Sequence, residues 1–292
     1  MPNEKSVVLH GGAGNQLFQW AYGHYLSSLN HKIIYKFYEK PYSLKHASKS
    51  ISSFIANCEH GVFLNVNLPA HKVLRTLADP THSKNPIVKI SGIVQNSMEN
   101  TFLNQGFPKV GKLNLGYYQN FSYVYELREM LIAELTKSLF KNNESDFEKS
   151  LYGSEIIHIR QGDTMTSKNM SRVGVLSSNF YKKIPARTGT KRIVLTDDVS
   201  GAKKTLIGTN VDAFFGPDEM DVETTLRVMS KSSILYAANS TLAWWGGFLG
   251  QNSGAEVYIP EPFFLNVSPN PKDAFHYPGF ILKESHFMRT SN

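Results

Sequence analysis

Cysteine is nearly absent from this sequence, and so are long apolar runs. The 292 residues include one cysteine, Cys58, which excludes an intrachain disulfide and a zinc cluster built on several cysteines. Charges or prolines interrupt every apolar run well before it reaches bilayer length. The first residues, M-P-N-E-K-S, contain no apolar signal region. The expected location is therefore the cytoplasm, where thiols stay reduced.

A metal-binding acidic motif is missing as well, and the excess charge is positive. No D-x-D occurs in the chain, so it lacks the short motif by which many sugar transferases hold a divalent metal. Lysine and arginine number 31 against 24 acidic residues, which favours anionic partners. The basic residues are scattered, so no nucleic acid partner is expected. The formal charge of +7 is compatible with peripheral contact at the anionic inner face of a membrane.

The order of strand and helix patterns predicts two α/β domains. Residues 6–9 form a short apolar run, glycines follow, and apolar residues then recur at helical spacing. This is the opening of a doubly wound sheet. A leucine stripe predicts a helix over about 124–140, and the polar run 141–146 is typical of a linker. We therefore expect an N-terminal domain over 1–145 and a C-terminal domain over 146–292.

The second half of the chain repeats a strand, a loop and a helix. Apolar runs at 155–159, 191–195 and 233–238 predict three strands, and polar residues follow each of them. The pattern predicts an α/β fold with two Rossmann-like, doubly wound domains that face a central cleft. In such sheets ligands bind at the carboxyl ends of the strands, where the polar residues lie.

The segment G-G-A-G-N-Q at 11–16 joins the first strand to the first helix. Its glycines permit a tight turn and a close approach to a ligand, and the helix N-terminus offers amides to an anion. A purely structural turn is the alternative, because Leu17 occupies the position of the third glycine of a dinucleotide fingerprint. The two adjacent amides favour a sugar or phosphate ligand. The candidate binding residues are Gly12, Gly14, Asn15 and Gln16.

The segment H-I-R-Q-G-D at 158–163 follows a predicted strand, on which His158 and Arg160 share one face. The planar guanidinium of Arg160 is suited to bind phosphate oxygens through two hydrogen bonds. Asp163 is a candidate to orient that guanidinium or to contact an acceptor. The alternative is a structural ion pair between Arg160 and Asp163.

Two further polar segments follow predicted strands. Asp197 and Asp198 are suited to hydrogen-bond a guanine edge or a ribose, and equally to cap the next helix. In A-N-S-T-L-A-W-W-G-G at 238–247, hydroxyls and helix amides are suited to hold a diphosphate, and equally to cap a helix. The two tryptophans are expected to pack rather than to stack on a base. The candidate donor-binding residues here are Asn239, Ser240 and Thr241.

Together and in this order, these segments resemble the bacterial α-1,2-fucosyltransferases of glycosyltransferase family 11. That family typically begins with G-G-L-G-N-Q, a hydrophobic residue and F-Q. It also carries G-Y-aromatic-Q, H-x-R-R-x-D, S-D-D and N-S-T-F-S-W-W-G. The similar segments in this chain are 11–19, 116–119, 158–163, 196–198 and 239–246.

The resemblance implies a GT-B fold that binds its donor mainly in the C-terminal domain. It implies GDP-β-L-fucose as the donor, inversion at the anomeric carbon, an α-1,2 link to galactose, and no cofactor or metal. The acceptor would be a galactose-terminated, lipid-linked unit of O-antigen or another surface polysaccharide, with a pocket shaped by residues 40–115. Arg160 would contact the diphosphate. Expected near donor or acceptor are Asn15, His158, Asp163, Ser240 and Thr241.

Two departures from the family pattern affect the donor site. Gln161 replaces the second arginine of H-x-R-R-x-D and removes a positive charge. Threonines precede Leu226 where relatives carry an acidic residue, and Asp221 or Glu223 is the nearest substitute.

The resulting hypothesis assigns Arg160 to stabilise the GDP leaving group and makes Asp163 the first candidate for the base that accepts the acceptor proton. Three alternatives stay open: a GT-B enzyme that uses another nucleotide sugar, a non-catalytic nucleotide-sugar-binding protein, and a nucleotide-dependent oxidoreductase suggested only by the glycine turn.

Overall fold

The structure is a computed structural model. It describes residues 3–37, 51, 55, 62–65, 93–95, 110–185, 189–267 and 274–288. The segment that the sequence assigns to the acceptor pocket, 40–115, lies mostly outside the described residues. No helix among the described residues is both long and apolar enough to cross a bilayer.

The chain forms two compact units, Met1–Ser138 and Leu139–Asn292, here called the N-terminal and C-terminal units. The sequence predicts the division after residue 145, in a polar linker. The division lies earlier, near the end of the helix Arg128–Leu139. The helix predicted over about 124–140 is interrupted: its first part ends at Glu126, Leu127 caps that end, and a second helix begins at Arg128. The assignment of acceptor and donor to the two units stays a prediction.

In the described part of the N-terminal unit, five parallel strands form one sheet in the order β3-β2-β1-β5-β4. The β-branched residues Val7 and Val8 at the carboxyl end of β1 are buried, as in other parallel sheets with covered faces. The chain order reverses between β1 and β5. The strands are β1 Glu4–Val8, β2 Lys32–Phe37, β3 Val62–Asn65, β4 Ile93–Gln95 and β5 Leu113–Leu115.

In the described part of the C-terminal unit, six parallel strands form a sheet in the order β11-β10-β9-β6-β7-β8. This is the strand order 3-2-1-4-5-6 of a doubly wound nucleotide-binding sheet, read from the other edge. The chain order reverses between β6 and β9. The strands are β6 Glu155–Ile159, β7 Arg192–Thr196, β8 Ala213–Phe215, β9 Ile234–Tyr236, β10 Glu256–Glu261 and β11 Ile281–Glu284.

Helices connect these strands, and local capping residues set several of their starts. A capping box between Ser145 and Glu148 begins one of them. The helices of the described part are α1 Ala13–Ser28, α2 Phe121–Glu126, α3 Arg128–Leu139, α4 Asp146–Lys149, α5 Ser167–Arg172, α6 Ser178–Lys182, α7 Val199–Thr205, α8 Val222–Ser230 and α9 Thr241–Asn252. A short 3-10 helix spans Asp163–Met165.

Glycines set the close contact between α8 and α9. A Cβ on Gly246 would lie 2.5 Å from Met229 Sδ, and a Cβ on Gly250 would lie 3.0 Å from the Met229 carbonyl oxygen. Trp244 and Trp245 are fully buried on the same helix, and Trp244 donates its indole N–H to the Phe275 carbonyl at 2.9 Å. The expectation that both tryptophans pack is confirmed. This packing fixes the helix whose N-terminus follows β9.

Candidate functional site

In the N-terminal unit, the loops that follow β1 and β5 meet at the point where the strand order reverses. We define the β1–β5 loop pair as the first loop with the first turn of α1, residues 9–16, and the second loop, residues 116–120. Sheets of this type bind ligands in the crevice at such a reversal. The two sequence segments G-G-A-G-N-Q and G-Y-Y-Q therefore belong to one place in the fold.

Direct contacts join the β1–β5 loop pair. The side-chain amide of Gln119 donates to Asn15 Oδ1 at 2.6 Å. The ring of His10 packs against that of Tyr117, with centroids 4.9 Å apart. Gln19, fully buried, accepts from the His10 amide at 2.8 Å and donates to the carbonyl of residue 116 at 2.9 Å.

The glycines of this segment have separate roles. Gly11 has a φ of +79°, and a Cβ there would lie 3.0 Å from Asn15 Nδ2, so a side chain would disturb the turn. Gly12 is the N-cap of α1, with nothing within 4 Å of the position of a Cβ. Gly14 is buried in the first turn of α1. The open space at Gly12 is where a ligand can approach the α1 amides.

Gln16 is turned into the unit. It is buried, donates its amide to the Gly11 carbonyl at 2.9 Å, and accepts from the Ile51 amide at 3.2 Å. These contacts give Gln16 a structural role, and ligand binding by its side chain stays a prediction. The structure therefore places Asn15 and Gln119, rather than Gln16, where the two loops meet.

In the C-terminal unit, the loops after β6 and β9 flank the second reversal of strand order. These loops, residues 160–163 and 237–240, are here called the β6–β9 loop pair. His158 is the penultimate residue of β6, with 6% of its surface exposed. Burial lowers the pKa of His158 to about 4; the charge of Asp197 opposes this effect and that of Arg160 adds to it. His158 is therefore neutral near pH 7.

Arg160 is the first residue after β6 and is partly buried. Its carbonyl accepts a weak hydrogen bond from Thr164 Oγ1 at 3.4 Å, which joins the start of the turn to the 3-10 helix. The backbone of Asp163 begins that 3-10 helix. The side chain of Asp163 lies outside what the structure describes, so its roles as base or as partner of Arg160 stay predictions.

The turn after Arg160 is bonded to the neighbouring strand and helix. The backbone N–H of Gln161 donates to Asp197 Oδ1 at 2.7 Å. The Gln161 side-chain amide donates to Thr205 Oγ1 at 2.7 Å, and Gln161 is 3% exposed. The position that departs from the family motif therefore faces α7.

The two aspartates after β7 divide their functions. Asp198 is the N-cap of α7 and accepts from the amide of residue 201 at 3.0 Å, which is the capping alternative left open by the sequence. Asp197 accepts from Gln161, and its charge reaches His158 and Tyr181. Burial, and then the charge of Asp197, raise the pKa of the Tyr181 hydroxyl well above its usual value. Recognition of guanine or ribose by these carboxylates stays a prediction.

The N-terminus of α9 follows β9 after the loop 237–240. Asn239 is buried and donates to the carbonyls of Val173 and Gly174, at 3.2 and 3.0 Å, so its amide fixes the loop. Ser240 is the N-cap, and within the described residues its hydroxyl has no hydrogen-bond partner and makes no capping bond. Thr241 begins the helix, partly exposed. The first amides of α9 thus lack a side-chain cap, a feature that suits an anion.

Asp221 and Glu223, the nearest substitutes for the family's acidic residue, both form hydrogen bonds within the C-terminal unit. Asp221 is the N-cap of α8 and accepts from the Thr224 amide at 2.9 Å. Glu223 is bonded to Arg227 at 2.6 Å. Arg227 is also bonded at 2.6 Å to Glu148, which is buried. These contacts stabilise the C-terminal unit, and a guanine contact by either acidic residue stays a prediction.

Gln119 and Gln161 contribute to the two loop pairs, although neither is among the binding or catalytic residues proposed from the sequence. Both lie inside motifs that the sequence shows, and both pair with a residue distant along the chain. Among the described residues, no group of three or more His, Cys, Asp or Glu side chains could hold a metal ion. The lack of a metal requirement stays a prediction.

Comparison with known proteins adds a family and a fold. The family model of Glycosyl transferase family 11 matches residues 5–275. The O-antigen biosynthesis glycosyltransferase WbnK of Escherichia coli is 26% identical over 172 residues, which span 53% of this chain and 56% of that protein. An alpha-1,2-colitosyltransferase of Escherichia coli is 23% identical over 288 residues, which span 91% of this chain and 94% of that protein.

Among solved structures, the heptosyltransferase WaaC of Escherichia coli with ADP matches 96% of this chain and 93% of its own, with a TM-score of 0.51 and 9% identity. At that identity the likeness concerns the fold alone. The predicted fold class is confirmed as α/β of GT-B type, with two Rossmann-like units. The match over residues 5–275 shows that this chain is a glycosyltransferase and belongs to Glycosyl transferase family 11.

Proposed function

We propose that the protein is an inverting α-1,2-fucosyltransferase, which moves L-fucose from GDP-β-L-fucose to the 2-hydroxyl of a galactoside in O-antigen or other surface-polysaccharide synthesis. One observation carries the proposal. The loop after β6, which begins with Arg160, and the uncapped N-terminus of α9 follow adjacent strands at the reversal of the C-terminal sheet. A cation and helix amides without a side-chain cap at one crevice are suited to bind a nucleotide diphosphate.

The proposed chemistry requires stabilisation of a departing diphosphate. As the bond to the anomeric carbon breaks, negative charge grows on GDP, and Arg160 with the first α9 amides would stabilise it. His158 remains neutral because burial lowers its pKa to about 4, so it adds no positive charge. The acceptor hydroxyl approaches the opposite face of the sugar ring and loses its proton; Asp163 is our candidate for the base.

The relatives support the linkage and the pathway. One is named for O-antigen biosynthesis and the other for α-1,2 transfer of colitose. Colitose is L-fucose without its 3-hydroxyl, so GDP-colitose is the second candidate donor. A site that hydrogen-bonds the 3-hydroxyl rejects a sugar that lacks it, because a buried polar group is then left unpaired. Kinetics with the two donors therefore separate the candidates.

The test is incubation of the purified protein with GDP-fucose or GDP-colitose and a panel of β-galactosides, followed by linkage analysis of the product. We expect an α-1,2-linked fucosyl galactoside, formed with a higher kcat/KM than the colitosyl product. A preference for GDP-colitose would replace the proposed donor. Binding of GDP without turnover of any nucleotide sugar would indicate a non-catalytic binding protein.

A further inference from the structure

We infer that Gln161 is a positioning residue for Arg160, and that it acts through a buried hydrogen bond to Thr205. The inference rests on the proposed function in one respect, namely that Arg160 binds the donor diphosphate. It also assigns a role to the position at which the family motif has its second arginine. In this chain that position holds the turn and does not supply a second phosphate-binding cation.

Three bonds connect Gln161 to three different elements. Its N–H is bonded to Asp197 Oδ1 at the end of β7, and its side-chain amide to Thr205 Oγ1 on α7, each at 2.7 Å. Its carbonyl accepts from the Met165 amide at 3.0 Å, in the 3-10 helix. Gln161 is 3% exposed and Thr205 is 7% exposed. Buried bonds of this kind fix a backbone, because an unpaired amide would be costly there.

The surface of α7 fits an uncharged side chain at this position. A Cβ on Gly201 would lie 2.6 Å from Gln161 Oε1, so the glycine makes room for the amide. The same Cβ would lie 2.4 Å from Asp198 Oδ2, a carboxylate that already caps α7. Thr205 supplies the hydroxyl oxygen that the amide needs. Gly201 and Thr205 on α7 are therefore complementary to the Gln161 side chain, one in space and the other in hydrogen bonding.

The consequence concerns Arg160, which precedes Gln161 directly. Gly162, on its other side, also packs against Asp197, since a Cβ there would lie 2.9 Å from Asp197 Oδ2. The backbone on the carboxyl side of Arg160 is thus held against β7 and α7. A guanidinium that must meet a diphosphate gains from this fixed backbone, because small misplacements of a catalytic group are costly in rate.

The experiment compares Thr205→Val, Thr205→Ser and Gln161→Ala with wild type. Thr205→Val removes the hydroxyl at nearly constant volume, and Thr205→Ser keeps it. The matched control is Gln251→Ala, which removes a side-chain amide bond to the Pro278 carbonyl at the far end of α9. Three quantities are measured: steady-state kinetics with the nucleotide sugar that wild type uses best, hydrogen exchange of the peptide that covers residues 158–166, and the melting temperature.

We expect kcat to fall about 10- to 100-fold in Thr205→Val and Gln161→Ala, with acceptor KM changed less than about twofold. Exchange in the 158–166 peptide rises in both variants, and Thr205→Ser restores both readouts. A lower melting temperature with unchanged kcat and unchanged exchange would overturn the inference, since it would mark a merely structural bond. The exchange result holds whichever donor is used, so a different donor would refute only the proposed function.

Discussion

The side-chain amide of Gln119 donates to Asn15 Oδ1 across 2.6 Å, although 104 positions separate the two residues. The bond joins the G-G-A-G-N-Q and G-Y-Y-Q segments into the β1–β5 loop pair. Gln119 is 3% exposed, and within the described residues its Oε1 has no partner. Its amide therefore has one described bond, and that bond fixes Asn15 in the first turn of α1.

Loss of this bond should weaken acceptor binding. In Gln119→Ala, Asn15 loses the bond from Gln119 that holds its side-chain oxygen, so we expect the acceptor KM to rise about tenfold, the equivalent of about 1.4 kcal/mol. The donor KM is expected to stay the same, because the proposed donor site is in the other unit. Initial rates over a matrix of donor and acceptor concentrations measure both constants. A rise in the donor KM alone would assign the N-terminal loops to the donor.

Removal of Arg160 should abolish transfer without unfolding the protein. We expect Arg160→Ala to lower kcat/KM at least about 10³-fold, because the leaving diphosphate loses its preorganised cation. Arg160→Lys should recover only part of the rate, since an ammonium cannot form the planar, two-bond contact. The control is Arg128→Ala, which alters an exposed arginine paired with Glu129. Near-normal turnover by a folded Arg160→Ala protein would remove Arg160 from the mechanism.

Chelation of divalent metals should leave the rate unchanged. Arg160 and the uncapped α9 amides are proposed to neutralise the diphosphate, and the chain contains no D-x-D motif. Rates are compared after dialysis against EDTA and after addition of Mg²⁺ or Mn²⁺. A strict requirement for either ion would show that a metal, and not Arg160 with the α9 amides alone, neutralises the donor diphosphate.

The fold was predictable because its strands carry strong local signals. The predicted strand 155–159 coincides with β6, and 191–195 and 233–238 overlap β7 and β9. Buried parallel strands are continuous apolar runs, so they can be recognised from the local sequence without knowing which strands lie beside them. The helix predicted over 124–140 was wrong in its continuity, because Leu127 ends one helix before the next begins. Leucine spacing alone does not register such a break.

The partners of the site residues were less predictable than the motifs. Adjacent amides in G-G-A-G-N-Q have the same appearance in sequence, yet Asn15 meets Gln119 whereas Gln16 is turned to Gly11 and Ile51. The direction of each side chain depends on strand order, since β1 lies beside β5 and not beside β4. For the same reason, the sequence shows only that Gln161 replaces a positively charged residue, whereas the structure shows the hydrogen bonds by which Gln161 holds the turn.

Crowding between α8 and α9 predicts a stability effect. Gly246→Ala places a Cβ 2.7 Å from Met229 Cβ, where the neighbour cannot simply rotate away. Overpacking of this kind costs about 1–3 kcal/mol, which exceeds the gain of up to about 1 kcal/mol from replacing a helical glycine. Urea denaturation should show the net loss. Met229→Ala in the same chain removes the Sδ that would lie 2.5 Å from the new Cβ and keeps the Met229 Cβ, so it should reduce the loss in part. Purely additive effects of the two substitutions would contradict the contact.

The buried pair of Arg227 and Glu148 predicts how stability responds to acid. Burial by itself would raise the pKa of Glu148, but bonds from Arg227, Thr224 and the Ser145 amide lower it below its ordinary value. A carboxyl with a lowered folded pKa stabilises the protein above its unfolded pKa of about 4.3, and this contribution is lost as pH falls through the folded value. The protein should therefore lose this stabilisation progressively as the pH falls below about 5.

Glu148→Gln should therefore lower the free energy of unfolding by about 2 kcal/mol at pH 7, because Arg227 loses its buried carboxylate partner while its bond to Glu223 remains. The difference from wild type should shrink as pH falls from 5 to 3, since protonation then removes the same charge from wild type. Urea denaturation at pH 7, 5, 4 and 3 measures it. Glu129→Gln is the control, because Glu129 forms an exposed pair with Arg128 and such pairs contribute little. A difference that stays constant down to pH 3 would show that the Glu148 carboxylate does not carry this stability.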